Sequence, residues 1–167
     1  MRIIPAILIL AVLPWTSDAA EFATGPVFDS YGPVADVEMT YPIPAGATFR
    51  HSFDVAERAD DGEPNATLVS AARFLNMHAR AGVDPGRIEL AVVVHGSAVH
   101  DVSGPDSASA ELVQLLIEQG VTIVVCGQSA AYRNVDADDL LPGVKLALSA
   151  MTAHALLQQK GYTLNPF

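Results

Sequence analysis

Short apolar runs and stretches of helical periodicity take turns along this chain. Residues 48–55 alternate, with Phe49, His51, Phe53 and Val55 on one side, which predicts a strand. An acidic turn over 60–64 follows, and Pro64 suits a first helical turn. Leu68, Ala71, Ala72, Leu75 and Ala79 then recur at helical spacing as far as Gly82. Residues 88–94 read as a second buried strand that ends in His95-Gly96. A loop with Gly104 and Pro105 leads into a helix marked by Ala108, Leu112, Leu115 and Leu116, which Gly120 terminates. Residues 121–125 read as a third buried strand, running into Cys126-Gly127-Gln128-Ser129, a tight turn into a short helix. After a charged surface stretch at 136–139, Pro142-Gly143 opens a fourth strand over 144–148. Ser149 is placed to cap a helix over 150–160, Gly161 ends it, and 162–164 form a short last strand. Near-continuous apolar strands separated by helices predict an α/β fold with a parallel sheet covered on both faces. In such sheets the ligand crevice lies beyond the carboxyl ends of the strands. His95-Gly96 and Cys126-Gly127 both fall there.

The pattern begins only near Gly46. Residues 20–45 are rich in Pro, Gly and acidic side chains and keep no period, which predicts an arm over the surface. Phe22, Phe28, Tyr31 and Tyr41 are the side chains suited to pin it to the body or to a neighbouring subunit. Residues 1–19 carry Arg2, an apolar stretch over 3–12 broken only by Pro5, and the site Ser17-Asp18-Ala19. This is the pattern of a cleaved secretory signal, and the stretch is short for a bilayer span. A retained anchor is the alternative. The expected organisation is a signal peptide at 1–19, an arm at 20–45 and one domain at 46–167. The expected location is periplasmic or secreted, with no membrane span in the mature form.

Composition narrows the partners. The chain has 167 residues, half of them apolar and 17% charged, enough for one domain with a real core. A formal charge of −10 and a pI near 4.6 set it against nucleic acid and anionic lipid. A single cysteine excludes an intramolecular disulfide and any metal site built on several thiolates. His51, His78, His95, His100 and His154 show no H-x-x-x-H or H-x-x-E spacing, so no metal and no cofactor is expected.

Cys126 is the leading candidate for chemistry. A thiol where a strand turns into a helix faces unpaired N–H groups and the positive end of the helix dipole, and both favour thiolate. The alternative is a buried cysteine acting as a small hydrophobe. His95, at the end of the second strand, is a candidate to stabilise the thiolate or shuttle a proton; the alternative is an imidazole bonded to a loop carbonyl. Gly96, Gly127, Gln128 and Ser129 are candidate ligand-binding positions, and Gln128 and Ser129 are equally suited to capping. His100 and Asp101 either close over the crevice or are solvated. A cysteine hydrolase would need an oriented imidazole and an oxyanion hole, for which the sequence has parts but no signature. His154 falls in register with Ala150 and Leu157, which points to packing. Asn76 is a poor helix former within a helix and is expected to bond a loop or a subunit contact. Asn65-Ala66-Thr67 reads as a glycosylation sequon or as helix-start chemistry.

Three segments carry a family resemblance: Val92-Val93-Val94-His95-Gly96-Ser97-Ala98, Val124-Val125-Cys126-Gly127-Gln128-Ser129 and Leu141-Pro142-Gly143-Val144. They resemble the DsrE/DsrF-like family. The tail, Ala147 through His154 with Gly161-Tyr162, looks like its exported branch. The resemblance spans roughly 48–167. It implies a three-layer α/β/α sandwich with a five-stranded, mainly parallel sheet, and assembly as a homo-oligomer, a trimer or hexamer. It also implies that strands two and three are neighbours, which would set His95 near Cys126. In the sulfur-relay members a cysteine just after a strand accepts sulfane sulfur as a persulfide, and Cys126 matches that position. The implied function is a persulfide carrier or sulfurtransferase-like relay, with a donor or acceptor that is a protein or a small sulfur compound. The rival is a non-catalytic ligand-binding or assembly module with a structural cysteine. The apolar content of 147–157 exceeds what one helix face needs, which also suggests an interface.

Overall fold

The computed structural model describes residues 20–166, so the export segment at 1–19 lies outside the described residues. A small antiparallel ribbon comes first, β1 (Phe22–Ala23) against β2 (Val34–Ala35). The domain then runs β3 (Phe49–Val55), α1 (Ala66–Arg80), β4 (Ile88–Val94), α2 (Ala110–Glu118), β5 (Thr122–Cys126), α3 (Gly127–Tyr132), β6 (Lys145–Ala147), α4 (Ala150–Gln159) and β7 (Thr163–Leu164). The five strands β3–β7 form one parallel sheet in the order β6-β5-β4-β3-β7. This is the predicted α/β/α sandwich. The loop expected after β4 is a 3-10 helix, Gly96–Val102. Its Ala98, Val99 and Val102 are buried, so it contributes to the core.

The two faces of the sheet differ. Phe53, Val55, Leu90, Val92, Val94, Ile123 and Val125 point to one side, where α1 and α2 bury Leu68, Leu75, Leu112 and Leu116 against them. Ala91 and Val93 point to the other, where α4 lays Ala153 and Leu157. Period-two alternation explains the split, and helices on both faces explain why β4 is apolar from Leu90 to Val94. The α3 residue Ala130 joins the larger core, whereas α4 joins the smaller one. Chain leaving β5 therefore turns to one face, and chain leaving the adjacent β6 turns to the other. That divergence marks the carboxyl ends of β5 and β6 as the place where sheets of this kind seat ligands.

The arm is anchored by one side chain. Asn76, fully buried in α1, accepts the backbone N–H groups of Val27 and Phe28 at 2.9 Å on its Oδ1. Its Nδ2 donates to the carbonyls of Phe28, Tyr31 and Gly32 at 2.9–3.1 Å. Asn76 thus bonds a loop, which accounts for its place in a helix it does not favour. Arg80 adds bonds to the carbonyls of Thr24 and Gly25. Phe28 is buried and Tyr31 donates to Glu111, whereas Phe22 and Tyr41 are exposed. Asn65 caps α1 by accepting from the Thr67 N–H, and its own Nδ2 bonds Glu57 and the buried Asp101. The apparent sequon is therefore a buried helix cap. Asp101 is a structural pin rather than a solvated loop acid, because it also accepts the Ala59 N–H at 2.9 Å.

Candidate functional site

Cys126 ends β5 at this divergence, and its residue is only 6% exposed. The thiol lies among the Ser129 hydroxyl and the N–H groups of Ser129, Ala150 and Gln128, each of which favours its ionised form. Two of those N–H groups open α3 and one opens α4, so the thiol sits where both helices begin. Burial pushes the thiol's pKa up; the hydrogen bonds, led by the Ser129 hydroxyl, outweigh it and bring the thiol below its ordinary value.

Two glycines permit this convergence. A Cβ on Gly127 would stand 2.6 Å from the Ala147 carbonyl oxygen, so only glycine lets α3 start against β6. Gly96 has φ +58°, and a Cβ there would stand 2.5 Å from the Ala56 carbonyl oxygen. The Gly96 N–H donates to the Ser129 hydroxyl oxygen at 3.1 Å. That hydroxyl consequently ties the end of β4 to the turn that carries Cys126. Gln128 turns away, donating to the Leu148 carbonyl at 3.3 Å, and acts as a tie between α3 and the end of β6.

His95 continues β4, donating its N–H to the Val55 carbonyl at 2.9 Å from extended backbone. The pairing Val94↔Val125, carried one residue further, sets His95 beside Cys126 on neighbouring strands. Both share the parity of Val93 and Val124, so both belong to the α4 face. The His95 imidazole is bonded to a group that the sequence reading did not single out. Its Nε2 lies 3.0 Å from Oδ2 of Asp54, which is on the same face of β3, paired with Val93. The other oxygen of Asp54 takes Nε2 of His154, one turn into α4, at 2.6 Å. Burial pushes the Asp54 carboxyl up, but the bonds from His95 and His154 prevail and hold it below the usual carboxylate range. His154 is thus a polar partner rather than simple packing. Its Nδ1 is the one buried side-chain nitrogen or oxygen without a hydrogen bond among the described residues.

Residues 52–166 match the model of the DsrE/DsrF-like family. The chain belongs to that family. Two solved structures share the fold. One is a protein of unknown function from Methanobacterium thermoautotrophicum, 22% identical, with a TM-score of 0.57 over 70% of this chain and 97% of that one. The other is the ychN protein from E. coli, 14% identical, with a TM-score of 0.51 over 70% of this chain and all of that one. No curated protein matches the chain.

In this DsrE/DsrF-like chain, all six residues singled out from sequence lie at the carboxyl ends of β4 and β5. Cys126, Gly127, Gln128 and Ser129 form the turn from β5 into α3, while His95 and Gly96 occupy the adjacent strand end. Asp54 and His154 were missed. The available signal was that Asp54 sits on the strand face opposite Phe53, near the end where ligands bind, in a sheet expected to be covered on both sides. Among the described residues no group of three or more His, Cys, Asp or Glu is arranged to hold a metal ion. The two imidazoles aim their Nε2 atoms at different carboxylate oxygens instead of at one point. No helix among the described residues is long and apolar enough to cross a membrane.

Proposed function

We propose that this protein is an exported sulfur carrier that holds sulfane sulfur as a persulfide on Cys126. The observation that carries the reading is the place of Cys126 at the end of β5, where the Ser129 hydroxyl and the first N–H groups of α3 and α4 gather around its thiol and lower its pKa. A cysteine that merely fills space has no use for them, whereas a thiolate or a persulfide anion is stabilised by each. The position at the diverging strand ends supports the same reading, since crevices there serve ligands. The family supports it through its sulfur-relay members. The activity is transfer to and from a carrier, with small sulfur compounds or a partner protein at either side.

The test is intact mass after treatment with polysulfide or thiosulfate. One added sulfur atom (about 32 Da) per chain, lost in Cys126→Ser, is expected. No gain with any donor overturns the reading. A second reading, a structural cysteine in a binding or assembly module, draws on the 6% exposure of Cys126. It predicts no mass gain and slow alkylation even in the folded chain.

Export and assembly belong to the same proposal. The signal at 1–19 would leave a mature chain starting near Ala20, and N-terminal sequencing of envelope material checks it. Leu146, Leu148, Met151 and Leu156 are exposed around β6 and α4, with Leu148 at 73% and Met151 at 80%. Apolar surface of that kind suits a homo-oligomeric contact, a trimer or hexamer by the family resemblance. Light scattering that gives a monomer at micromolar concentration would count against it.

A further inference from the structure

We propose that Asp54, seconded by His154, is a positioning residue that holds His95 as the proton carrier for sulfur transfer at Cys126, and that the donor is an uncharged-to-zwitterionic alkyl persulfide. This inference rests on the carrier reading above. An ionised carboxylate only accepts hydrogen bonds, so both imidazoles must present Nε2–H to Asp54. The other nitrogen of His95, Nδ1, makes no hydrogen bond to the described residues. It is not among the sealed atoms either, since His154 Nδ1 is the only one of those among the described residues. The His95 side chain is 31% exposed, against 17% for His154. One imidazole is therefore a buried strut. The other keeps its second nitrogen outside the sealed interior, on the strand end next to the one that bears Cys126.

The chemistry that needs such a nitrogen follows from the leaving group. The Cys126 thiolate attacks the outer sulfur of RS–SH. The new S–S bond forms as the old one breaks, and the electron pair departs on RS⁻. Protonated His95 gives its Nδ1 proton to RS⁻. The outer sulfur, now Cys126–S–SH and the more acidic thiol, returns a proton to Nδ1. The sum is Cys126–S⁻ + RSSH → Cys126–S–S⁻ + RSH, with no oxidant or reductant required. A basic alkyl thiolate leaves poorly without that proton, whereas sulfite leaving from thiosulfate has far less need of it. The chain's charge of −10 also disfavours the thiosulfate dianion.

The test compares the full-length mature chain with Asp54→Asn and His154→Gln. Single-turnover sulfur uptake from cysteine persulfide is read by intact mass, and iodoacetamide alkylation of Cys126 is run in parallel. Iodide leaves without a proton, so alkylation reports the thiol alone. Uptake by Asp54→Asn is expected to fall by roughly tenfold or more, a part of what a placed general acid supplies. Its alkylation rate should stay at that of the wild type. His154→Gln, whose amide still donates to Asp54, should keep most of its uptake. Nitrogen-15 spectra of the wild type should show the Nε2–H form of neutral His95. Wild-type uptake by Asp54→Asn, or an Nδ1–H form of His95, overturns this role while leaving the carrier reading intact. If Asp54→Asn does not fold, the tautomer spectrum decides. A wild-type chain that alkylates but takes no sulfur overturns the carrier reading, and the role with it.

Discussion

The N–H of Gly96 and the hydroxyl of Ser129 meet at 3.1 Å, and through them the end of β4 reaches the first turn of α3. The same hydroxyl leads the groups that lower the thiol of Cys126. A single hydroxyl thus accepts from one strand end and favours the ionised thiol at the end of the next. Accepting the Gly96 N–H leaves the hydroxyl proton free to point at the sulfur, which fixes its direction as a donor.

Removing that donor should be felt at the thiol before it is felt in the fold. Ser129→Ala takes away a hydrogen bond to a charged group, worth ~1.5 kcal/mol, so alkylation of Cys126 at neutral pH should slow by roughly tenfold. The pH midpoint of labelling should rise, because the folded thiol's pKa moves back toward the ordinary value of about 8.5. Iodoacetamide rates across a pH series on both sides of the ordinary thiol value of about 8.5 give the comparison. An unchanged midpoint would mean that the backbone N–H groups suffice.

Gly127 carries the closest contact at the site. A Cβ there would lie 2.6 Å from the Ala147 carbonyl oxygen, and backbone cannot step aside as a flexible side-chain tip can. Gly127→Ala should push β6 away from β5 and cost about 1–3 kcal/mol, the range for overpacking a filled site. Urea unfolding measures the loss. Alkylation of Cys126 should speed up or slow down with it, since the Ala150 N–H that favours the ionised thiol moves with the β6–α4 junction.

Much of this was legible in the sequence, for reasons that differ along the chain. The β4 run at 88–94 was read to the residue because a strand buried on both faces leaves no ambiguity. β5 was read one residue early: the strand pairs through Cys126, which lies opposite Ala147. The Gly96–Val102 segment was read as a loop, since 3-10 turns have no apolar period of their own and this one is held by the Ala56 carbonyl, which accepts from Ser97 and Ala98. The cysteine and the histidine next to it were found because their strand ends are local features. Asp54 and His154 were not, because they are 100 residues apart and meet only when α4 crosses the sheet. Period alone assigned His154 to packing; only the partner strand makes it polar.

Asn76 concentrates the arm's attachment in one amide. Asn76→Ala leaves the N–H groups of Val27 and Phe28 and three carbonyls without their partner. The expected loss is about 2–3 kcal/mol, the scale of stranding buried polar groups, unless the arm lifts off and finds water. In that second case limited proteolysis should cut within 24–36 while the 46–167 body survives. Either result shows as a lowered unfolding midpoint or an early N-terminal cleavage. A variant as stable and as resistant as the wild type would mean that Arg80 and Phe28 hold the arm without it.

Asp54 should leave a signature in acid. Its folded pKa lies below the ordinary carboxylate value, so the folded state holds the ionised form more firmly than the unfolded state does. The resulting stability is fully present above the unfolded value of about 3.9 and is lost as pH falls through the lower folded value. Asp54→Asn has no carboxylate to titrate. The difference in unfolding free energy between wild type and Asp54→Asn should therefore be constant near neutrality and shrink below about pH 4, where the wild-type carboxylate takes up its proton. Urea titrations at a series of pH values give the curve. A difference that stays flat into strong acid would mean that the carboxylate is not held by His95 and His154 in solution, and that the pairs at 3.0 and 2.6 Å contribute nothing to the folded state.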